Sequence, residues 1–285
     1  MAEHSVKNLI HPCPYIIAVI VIFLSVSTAF CDSSGKLVVH FLNVGYGDAI
    51  LIVFPDRASM LVDAGDEMYS EKIVEVLKEY SINRIDTALI THPHKNHFGG
   101  FFNLLKSIPI GRLYVNGEPE GDPGYDQLLN AFGAQGIPIE VLKEGDSLNQ
   151  LPENIVWDIL HPADLTGAAN DNSIVSRLTY KNFSILFTGD IGPAQQDDLI
   201  EKFYGILQNI NYIQWPHHGG ALSKNFMEAF QDNVCIISTG ENQWGNPDEQ
   251  QLQNFSGTLY RTDHHGDIRL YSDGNSVEIM TERQQ

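Results

Sequence analysis

The chain has 285 residues, of which 43% are hydrophobic and 19% are charged. This length and composition support a substantial core in one or two domains, and they exclude a disordered or fibrous protein. With 17 Lys and Arg against 36 Asp and Glu, the formal net charge is −19, which opposes broad electrostatic binding to nucleic acid or anionic lipid. A polyanionic substrate would therefore need a local attractive centre, such as a bound metal cation.

The N-terminal segment is typical of an export signal. Residues 15–30 read YIIAVIVIFLSVSTAF, an uncharged apolar run that follows Lys7 and precedes polar residues. Ser27 and Ala29 match the small residues found before a cleavage site, and the run is shorter than the roughly 20 residues of a spanning helix. We expect residues 1–32 to be a signal peptide or an uncleaved anchor, the latter being the one contact with a membrane. The protein would then be secreted, periplasmic or anchored at the outer face of the cytoplasmic membrane.

The three cysteines are too few for a disulfide framework. Cys13 and Cys31 flank the apolar run, and Cys235 lies in the strand-like sequence VCIIS. Bulky Phe30 disfavours lipid attachment at Cys31, because lipidation sites have a small residue before the cysteine. We interpret Cys235 as a small buried core residue.

From residue 36 onward, short β-branched and aromatic runs between turn signals predict a chain dominated by strands. In chain order these runs read LVVHFLNV, AILIVFP, SMLVDAG, DTALITH, GRLYV, IPIEVL, VWDIL, SIVSRLTY, FSILFTGD, NYIQW, VCIIST, GTLYRT, IRLYS and SVEIM.

Three segments between the strands have a helical pattern. Ser70 is placed to cap a helix whose apolar face carries Ile73, Val74, Leu77 and Tyr80. A second helix is predicted directly after Gly100, and a third from about Pro193 to Tyr204. Because strand clusters occur in both halves of the chain, we expect an α+β fold of two packed sheets covered by helices. No linker or short repeat divides the sequence, so residues 36–281 are predicted to form one domain.

The strongest chemical signal is THPHKNHFGG, which starts at Thr91 between an apolar strand and an amphipathic helix. His92 and His94, two residues apart on a turn that leaves a strand, are able to aim two imidazoles at one point. His97, at the entry to the helix, is able to aim at a second point nearby. The two following glycines allow the helix N-terminus to approach anionic ligands or substrate closely. This pattern predicts a metal site rather than a solvated histidine-rich loop.

Further candidate residues lie where other strands end. Asp190 ends FSILFTGD and is either a metal-site carboxylate or the cap of the next helix. His217 and His218 are adjacent in WPHHGG. Since adjacent strand residues point to opposite faces, we expect one at a metal, while the other could donate a proton or orient substrate. Asp48 in GYGDA and Asp63 in LVDAG are either active-site carboxylates or turn caps.

Three other histidines carry less weight. His264 and His265 lie in TDHHGD, a sequence that predicts a hairpin turn before it predicts a site. His161 ends a strand and is interpreted as an ordinary loop residue. Motifs for a nucleophilic serine, a P-loop or a dinucleotide-binding turn are absent from the sequence.

The histidine motif resembles the metal-binding signature HxHxDH of the metallo-β-lactamase superfamily. Within it, the chain resembles the metallo-hydrolase domain of the ComEC DNA-uptake proteins, from about Lys36 to Tyr271. The blocks that carry this resemblance occur in the same order and read HFLNVGYGDAILI, SMLVDAG, THPHKNHFGG, NDNSIV, FSILFTGDIG, WPHHGG and LYRTDHHGDIRL. The resemblance implies a four-layer αββα sandwich with metals at one edge between the sheets. With no channel segment in this sequence, we expect a free-standing, exported relative of that domain.

The resemblance also implies a ligand set. His92 and His94 match ligands of a first metal and His97 matches a ligand of a second, while Asp190 matches the carboxylate that bridges the two. The last ligand position falls on His217 or His218. We therefore expect one or two zinc or manganese ions.

Three departures from the family pattern bear on activity. Asn96 stands where the signature has the second-site Asp, and a neutral amide binds such a cation more weakly than a carboxylate. The block NDNSIV offers Asp171, Asn172 and Ser173 where many superfamily members have another histidine ligand. Tyr46 replaces a common Gln, which is expected to alter substrate contact.

The expected chemistry is hydrolysis. A bound metal lowers the pKa of its water to near 7, and Asp190 would hold the resulting hydroxide. The resemblance favours a phosphodiesterase or nuclease-like enzyme that acts on single-stranded DNA or a nucleotide. Two alternatives stay open: a metal- or ligand-binding module weakened by Asn96, and a hydrolase of another ester or amide such as a β-lactam or thioester.

Overall fold

The computed structural model describes residues 35–119 and 121–283. The predicted export segment, residues 1–32, lies outside the described residues. In the part of the chain that is described, no helix combines the length and apolar character needed to cross a membrane.

Fourteen strands are present in the described residues. They are β1 Leu37–Phe41, β2 Ile50–Val53, β3 Ser59–Val62, β4 Thr87–Leu89, β5 Leu113–Val115, β6 Ile139–Val141, β7 Ile155–His161, β8 Val175–Tyr180, β9 Phe183–Phe187, β10 Tyr212–Gln214, β11 Val234–Ile237, β12 Thr258–Arg261, β13 Ile268–Ser272 and β14 Val277–Thr281. Each coincides with one of the runs read from the sequence, so the prediction of the strands is confirmed.

The helices lie between these strands. They are α1 Ser70–Glu79, α2 Lys95–Phe98, α3 Phe101–Ser107, α4 Tyr125–Ala134, α5 Pro193–Leu207, α6 Lys224–Phe230, α7 Glu249–Asn254 and α8 Thr262–His265. Short 3-10 turns span Glu67–Tyr69, Asn170–Asn172 and Pro216–His218.

The strands form two mixed sheets. The first has eight strands in the order β14-β13-β1-β2-β3-β4-β5-β6, and the second has six in the order β12-β11-β10-β9-β8-β7. In the first sheet β3, β4, β5 and β6 run parallel. In the second sheet β9, β10, β11 and β12 run parallel. Each sheet therefore contains four neighbouring parallel strands, and the carboxyl ends of those strands become available for a site.

Two apolar layers hold the sheets and helices together. The layer between the sheets packs Phe41 and Ile52 of the first sheet with Trp157 and Phe187 of the second. The rings of Trp157 and Phe187 stack with their centroids 5.4 Å apart. A second layer packs the outer face of the six-stranded sheet against α5, α6 and α7. Helices α1 and α3 pack together and bury apolar side chains, and the whole is the four-layer αββα sandwich that was expected.

Two local predictions are wrong. Ser70 is the first residue of α1 rather than its cap, and its hydroxyl donates to the carbonyl of Glu67. Asp66 caps the preceding 3-10 turn by accepting from the Met68 N–H. The segment TDHHGD is not a hairpin turn, because it forms α8 and connects β12 of one sheet with β13 of the other. A turn signal in sequence does not report that the chain changes sheets there.

Other local predictions are confirmed with small changes. The helix that begins at Pro193 continues to Leu207, one turn beyond the predicted end. Cys235 is a buried free cysteine in β11. Helices α4, α6 and α7 were not anticipated from the sequence; they are short, and tertiary packing rather than a long periodic pattern stabilises such segments.

A buried polar network ties β1 to α1 and β13. His40 Nε2–H donates to Asp267 Oδ2 over 3.1 Å, and Lys72 Nζ lies 2.6 Å from Asp267 Oδ1. The backbone N–H of Asn43 donates to the same oxygen. Burial alone would raise the pKa of Asp267, but these contacts with His40, Asn43 and Lys72 hold it below its ordinary value. The network fixes the start of the loop that follows β1.

The histidine of this network makes stability depend on pH. Burial lowers the pKa of His40 from 6.5 to about 4. Between these values the unfolded chain binds a proton at His40 and the folded protein does not, so stability rises with pH. We expect the free energy of unfolding to fall by up to about 3 kcal/mol from this residue as pH drops through that range. Urea denaturation at several pH values measures the slope.

Two variants isolate the contribution of His40. His40→Gln keeps a donor near Asp267 but removes the titrating imidazole. The free energy of unfolding of this variant should therefore depend less steeply on pH, by the equivalent of up to about one bound proton. His264→Gln, which removes an exposed histidine from α8, should keep the wild-type slope. An unchanged slope in His40→Gln would show that this residue does not make stability depend on pH.

Candidate metal centre

The predicted site residues meet where the parallel strands of both sheets end. In the first sheet, β3 leads into Asp63 and β4 leads into the histidine motif. In the second sheet, β9 leads into Asp190 and β10 leads into the 3-10 turn that contains His218. Residues that are far apart in sequence therefore lie together at one edge of the sandwich.

Backbone hydrogen bonds join the loops that carry these residues. The Ala64 N–H donates to the carbonyl of His97 over 2.7 Å, and the Gly65 N–H donates to the carbonyl of Asp48 over 2.7 Å. A Cβ atom at Gly100 would lie 2.1 Å from the Ala64 carbonyl oxygen. Glycine is therefore required there so that the start of α3 packs directly on the loop after β3.

Asp190 lies at the centre of the site. Its Oδ2 atom is 3.3 Å from His97 Nε2, 3.4 Å from His218 Nε2 and 3.7 Å from His92 Nε2. His217 Nε2 is farther away, at 3.9 Å. The side chain of Asp190 is buried, and its Oδ1 atom has no hydrogen-bond partner among the described residues. One carboxylate oxygen thus faces imidazole nitrogens from both sheets.

The electrostatics of the centre follow from this arrangement. Burial alone would raise the pKa of Asp190, but the imidazoles of His218, His97 and His92 hold it well below its ordinary value. Burial alone would lower the pKa of His97, whereas the carboxylates of Asp190 and Asp63 raise it well above 6.5. For His92 burial prevails and its pKa is lowered. The centre thus combines an ionised carboxylate with imidazoles, and a metal cation would displace protons from those imidazoles when it binds.

Two groups of ligand atoms can be distinguished. Asp48, His97, Asp190 and His218 form one, and the other consists of His92, His94 and Asp190. Within each group the ligand atoms lie within 4.8 Å of one another. Asp190 belongs to both groups, as a bridging carboxylate would.

Hydrogen bonds orient the imidazoles from the side away from Asp190. Asp63 Oδ2 accepts from His97 Nδ1 over 2.8 Å, and Asp63 also accepts from the backbone N–H and hydroxyl of Thr91. His218 Nδ1 donates to the carbonyl of Ser238 over 3.0 Å. Both contacts leave Nε2 free to face the centre of the site, which is how metal-binding histidines are commonly held.

Ser173 occupies the block where a further histidine ligand is common. Its hydroxyl lies 3.2 Å from His92 Nδ1 and accepts from the Asp190 backbone N–H over 3.0 Å. Ser173 therefore supports two candidate ligands instead of being one. Asn172 is buried and binds Thr166, and Asp171 lies outside both groups of ligand atoms.

Asn96 and Asp48 lie near different ring nitrogens of His218 in the group that contains Asp48, His97, Asp190 and His218. The side-chain amide of Asn96 is 3.0 Å from His218 Nε2, the ring nitrogen that also faces Asp190. Asp48 Oδ2 lies 3.8 Å from His97 Nδ1 and 3.9 Å from His218 Nδ1, and Asp48 Oδ1 has no hydrogen-bond partner among the described residues. Asp48 thus provides a second buried carboxylate in the ligand group whose His218 Asn96 contacts.

The two adjacent histidines have different surroundings. His218 is buried and belongs to a ligand group, while His217 is half-buried and lines the cleft above Asp190. Both lie in the short 3-10 turn Pro216–His218 rather than on a strand, and their φ values of 51° and 57° fall in the left-handed region. The expectation that strand alternation separates them is wrong, although their side chains do diverge.

The remaining histidine candidates lie elsewhere. His161 Nε2 is 2.7 Å from the carbonyl of Asp171 and supports that loop. His265 Nδ1 contacts the backbone of Arg261, and His264 is exposed. Across residues 35–119 and 121–283, neither His264 nor His265 belongs to a group of metal-ligating side chains.

A cleft of about 550 Å³ opens above the centre. His94, Asn96, Asp190 and His217 line it together with Tyr46 and Trp244. Tyr46 packs against His218 with ring centroids 4.4 Å apart, and burial raises its pKa to about 12. Sequence reasoning identified Tyr46 but missed Trp244, Thr91 and Ser238. For Trp244 the available signal was a large aromatic residue in the polar loop GENQWGNP.

The residues present fit a divalent metal. Imidazole and carboxylate are the donor types that bind zinc and manganese in proteins. The unpartnered oxygens of Asp190 and Asp48 are buried acceptors, and an unpaired buried acceptor costs free energy unless a cation or donor satisfies it. A sandwich with such a cluster where its strands end has the architecture of a metal-dependent hydrolase.

Residues 42–216 match the sequence profile of the metallo-beta-lactamase superfamily, and the chain belongs to this superfamily. The resemblance seen in the sequence is thereby confirmed.

Two curated relatives are similar along most of the chain. ComE operon protein 3 of Bacillus subtilis (strain 168) is 26% identical over 273 residues, which cover 87% of this chain and 34% of that protein. Competence protein ComA of Neisseria gonorrhoeae is 25% identical over 236 residues, which cover 80% of this chain and 31% of that protein. The chain thus spans about a third of the length of these relatives.

Among solved structures, CmlA, a diiron β-hydroxylase from Streptomyces venezuelae, is similar with a TM-score of 0.54 and 14% identity. The match covers 84% of this chain and 54% of CmlA. This likeness shows the fold alone. Because a hydroxylase shares the fold, the reaction has to be argued from the residues of the site.

The position of Asp63 predicts an effect on metal affinity. Asp63→Asn keeps the backbone, because asparagine tolerates the positive φ of 55° found there. It removes the carboxylate that accepts from His97 Nδ1, so we expect metal affinity to fall about 10- to 100-fold. Competition with a chromophoric chelator measures this affinity.

A matched carboxylate provides the control. Asp56, in the turn between β2 and β3, accepts from the Ala58 N–H and is exposed. Asp56→Asn should bind metal as tightly as the wild type. Equal affinity in a folded Asp63→Asn variant would mean that Asp63 does not orient His97 for a metal.

Proposed function

We propose that this protein is an exported, metal-dependent phosphodiesterase that acts on single-stranded DNA or a nucleotide. The observation that carries the proposal is the position of Asp190 Oδ2, which lies within 3.9 Å of Nε2 atoms from four histidines. A carboxylate so placed is suited to hold two cations close together. Two-metal hydrolysis of phosphate esters uses such a pair.

Each candidate ligand has a proposed role. His92 and His94 would hold one ion and His97 and His218 the other, with Asp190 shared between them. We propose zinc or manganese, with Asn96 as a weak ligand of the second ion and Asp48 as a nearby negative charge. When bound, such an ion polarises the phosphoryl group and lowers the pKa of a coordinated water.

The other residues of the site would prepare this chemistry. Asp63 and the Ser238 carbonyl hold His97 and His218 with Nε2 towards the centre. His217, half-buried at the cleft, is placed to contact the phosphate or the leaving group. We propose direct attack by water rather than a covalent intermediate, since a bound metal would lower the pKa of that water.

The substrate class rests on charge and resemblance. A net charge of −19 leaves no broad basic surface for nucleic acid, so a phosphodiester would be drawn to the metals alone. The similar proteins named for competence favour a nucleic-acid substrate. We further propose that residues 36–281 are the hydrolase domain, preceded by a signal or anchor in residues 1–32 that places it outside the cytoplasm.

Hydrolysis assays test the proposed function. We expect the chelated protein to cleave single-stranded DNA and bis(p-nitrophenyl) phosphate after addition of Mn²⁺ or Zn²⁺. Asp190→Ala removes the shared ligand and should lower the rate at least about 100-fold. Release of p-nitrophenolate and gel analysis of the DNA measure the two reactions.

The control is Asp198→Ala, which removes an exposed carboxylate from α5 and should leave the rate unchanged. A folded, metal-loaded protein that cleaves neither phosphodiester contradicts the proposal. Hydrolysis of nitrocefin or of a thioester by the same preparation would instead identify an enzyme for another ester or amide.

The place of Asn96 favours one second candidate, a binding module with weakened catalysis. Its neutral amide lies 3.0 Å from His218 Nε2, where the family signature supplies a carboxylate. Asn96→Asp should tighten binding of a second ion by about tenfold or more and should raise the rate of a degraded enzyme. Metal stoichiometry by mass spectrometry and the phosphodiester assay report the two effects.

The conservative variant Asn96→Gln serves as the control, because it changes length without adding charge and should not gain metal. If Asn96→Asp gains neither a second ion nor activity, the amide of Asn96 is not what limits metal binding or hydrolysis.

A further inference from the structure

An exposed aromatic stack stands beside the metal centre. Trp244 is 65% exposed, the largest aromatic among the strongly exposed hydrophobic residues of the described chain. One face of its indole stacks on Tyr46, with ring centroids 4.8 Å apart and planes inclined by 24°. Tyr46 in turn packs on His218, whose Nε2 lies 3.4 Å from Asp190. The indole is therefore two ring contacts from a candidate metal ligand.

The loop that displays Trp244 is held by hydrogen bonds. Asn242 Oδ1 accepts from the backbone N–H groups of Trp244 and Gly245, both over 3.0 Å. Asn246 Nδ2 donates to the Tyr46 hydroxyl over 3.1 Å and to the His217 carbonyl over 2.9 Å. The indole is thus presented in place before any ligand arrives, which reduces the entropy lost on binding.

The loop is also packed closely on the loop after β1. A Cβ atom at Gly240 would lie 2.6 Å from the Cα atom of Gly45, so only glycine permits this approach. The two loops that carry Trp244 and Tyr46 are therefore joined at their bases. The rings of Trp244 and Tyr46 are thereby held in contact with each other at the cleft.

The charges of the cleft explain why such a stack would be useful. Lys95 lies at its rim but is near Asp66, at 3.7 Å, and Asp122 and Asp190 add two further carboxylates. Among the lining residues the carboxylates outnumber the one lysine, so without metal the cleft would attract a phosphate weakly at most. Stacking of a neutral ring on an aromatic surface needs no positive charge, and it contributes about 1–3 kcal/mol per nucleobase.

We propose that Trp244, backed by Tyr46, forms a stacking platform for a nucleobase of the phosphodiester that is held at the metal centre. The inference rests on the proposed phosphodiesterase function and narrows its substrate class to phosphodiesters that bear a base. The platform would select for an unpaired base, because a base inside a duplex does not present its face. It would not discriminate strongly among the four bases, since each has a π-face.

Two ligands that differ only in the base test this platform. Thymidine 5′-monophosphate and 2-deoxyribose 5-phosphate share the sugar phosphate, and neither contains a phosphodiester. With the full, manganese-loaded chain, calorimetry should show that the nucleotide binds about 5- to 150-fold tighter. In Trp244→Ala this ratio should approach one, while Trp244→Phe should retain most of it.

A second readout uses the tryptophans themselves. The chain has three, and Trp157 and Trp215 are buried at 0% and 2% exposure. Quenching of tryptophan fluorescence by thymidine 5′-monophosphate should therefore come from Trp244 and disappear in Trp244→Phe. Tyr204→Ala removes a comparably exposed aromatic residue from α5, away from the cleft, and should change neither readout.

The outcomes separate the platform from the proposed reaction. Equal affinity of wild-type protein for the two ligands overturns the platform, even if phosphodiesters are hydrolysed. If Trp244→Ala keeps the wild-type ratio of affinities for the two ligands, the proposed platform is overturned as well. If the base preference depends on Trp244 but no phosphodiester is cleaved, the platform stands as a nucleotide-binding surface and the proposed hydrolysis is wrong.

Discussion

The buried contact between Asp190 and the surrounding imidazoles is the constraint on which the site depends. A carboxylate out of water is costly unless charge or hydrogen bonds compensate it. Here His97 and His218 approach the same oxygen, at 3.3 and 3.4 Å. Their rings are in turn held from behind by Asp63 and by the Ser238 carbonyl. The loops after β3, β4, β9, β10 and β11 each supply either a member of the cluster or a group that orients one.

The architecture explains why such a costly arrangement persists. Parallel strands in each sheet end at the same edge, so their loops converge without long connections. The two sheets are fixed to each other by the apolar layer around Trp157 and Phe187. The free energy gained by packing this apolar core offsets the cost of holding like-charged and unpaired groups together. A metal cation would relieve that cost, since it satisfies the carboxylate oxygens that have no donor.

Asn96 departs from the superfamily signature at this centre, and an aromatic stack lies beside it. The amide lowers the negative charge offered to a second ion, while buried Asp48 keeps a carboxylate nearby. Tyr46 and Trp244 cover one side of the cleft with aromatic surface. In a chain with a net charge of −19, neutral stacking and a local cation are complementary means of holding a polyanionic ligand.

Local patterns in the sequence determined the strands, the α+β class and most of the cluster. β-branched runs report strands directly, and three histidines within six residues report a site, since both signals are local. Asp190, His97 and His218 were identified because each follows an apolar run or lies within a motif. The family resemblance then arranged them into one centre, which spacing alone would not have done.

Only the tertiary structure decided which atoms meet. It placed His218 inside the cluster and His217 at the cleft, because a tight turn with positive φ replaced strand alternation. It turned TDHHGD from a hairpin into α8, because the chain changes sheets there. It also brought Trp244 onto Tyr46 across 198 positions of sequence. Contacts of this kind depend on how two sheets and their loops pack, and no local pattern encodes that distance.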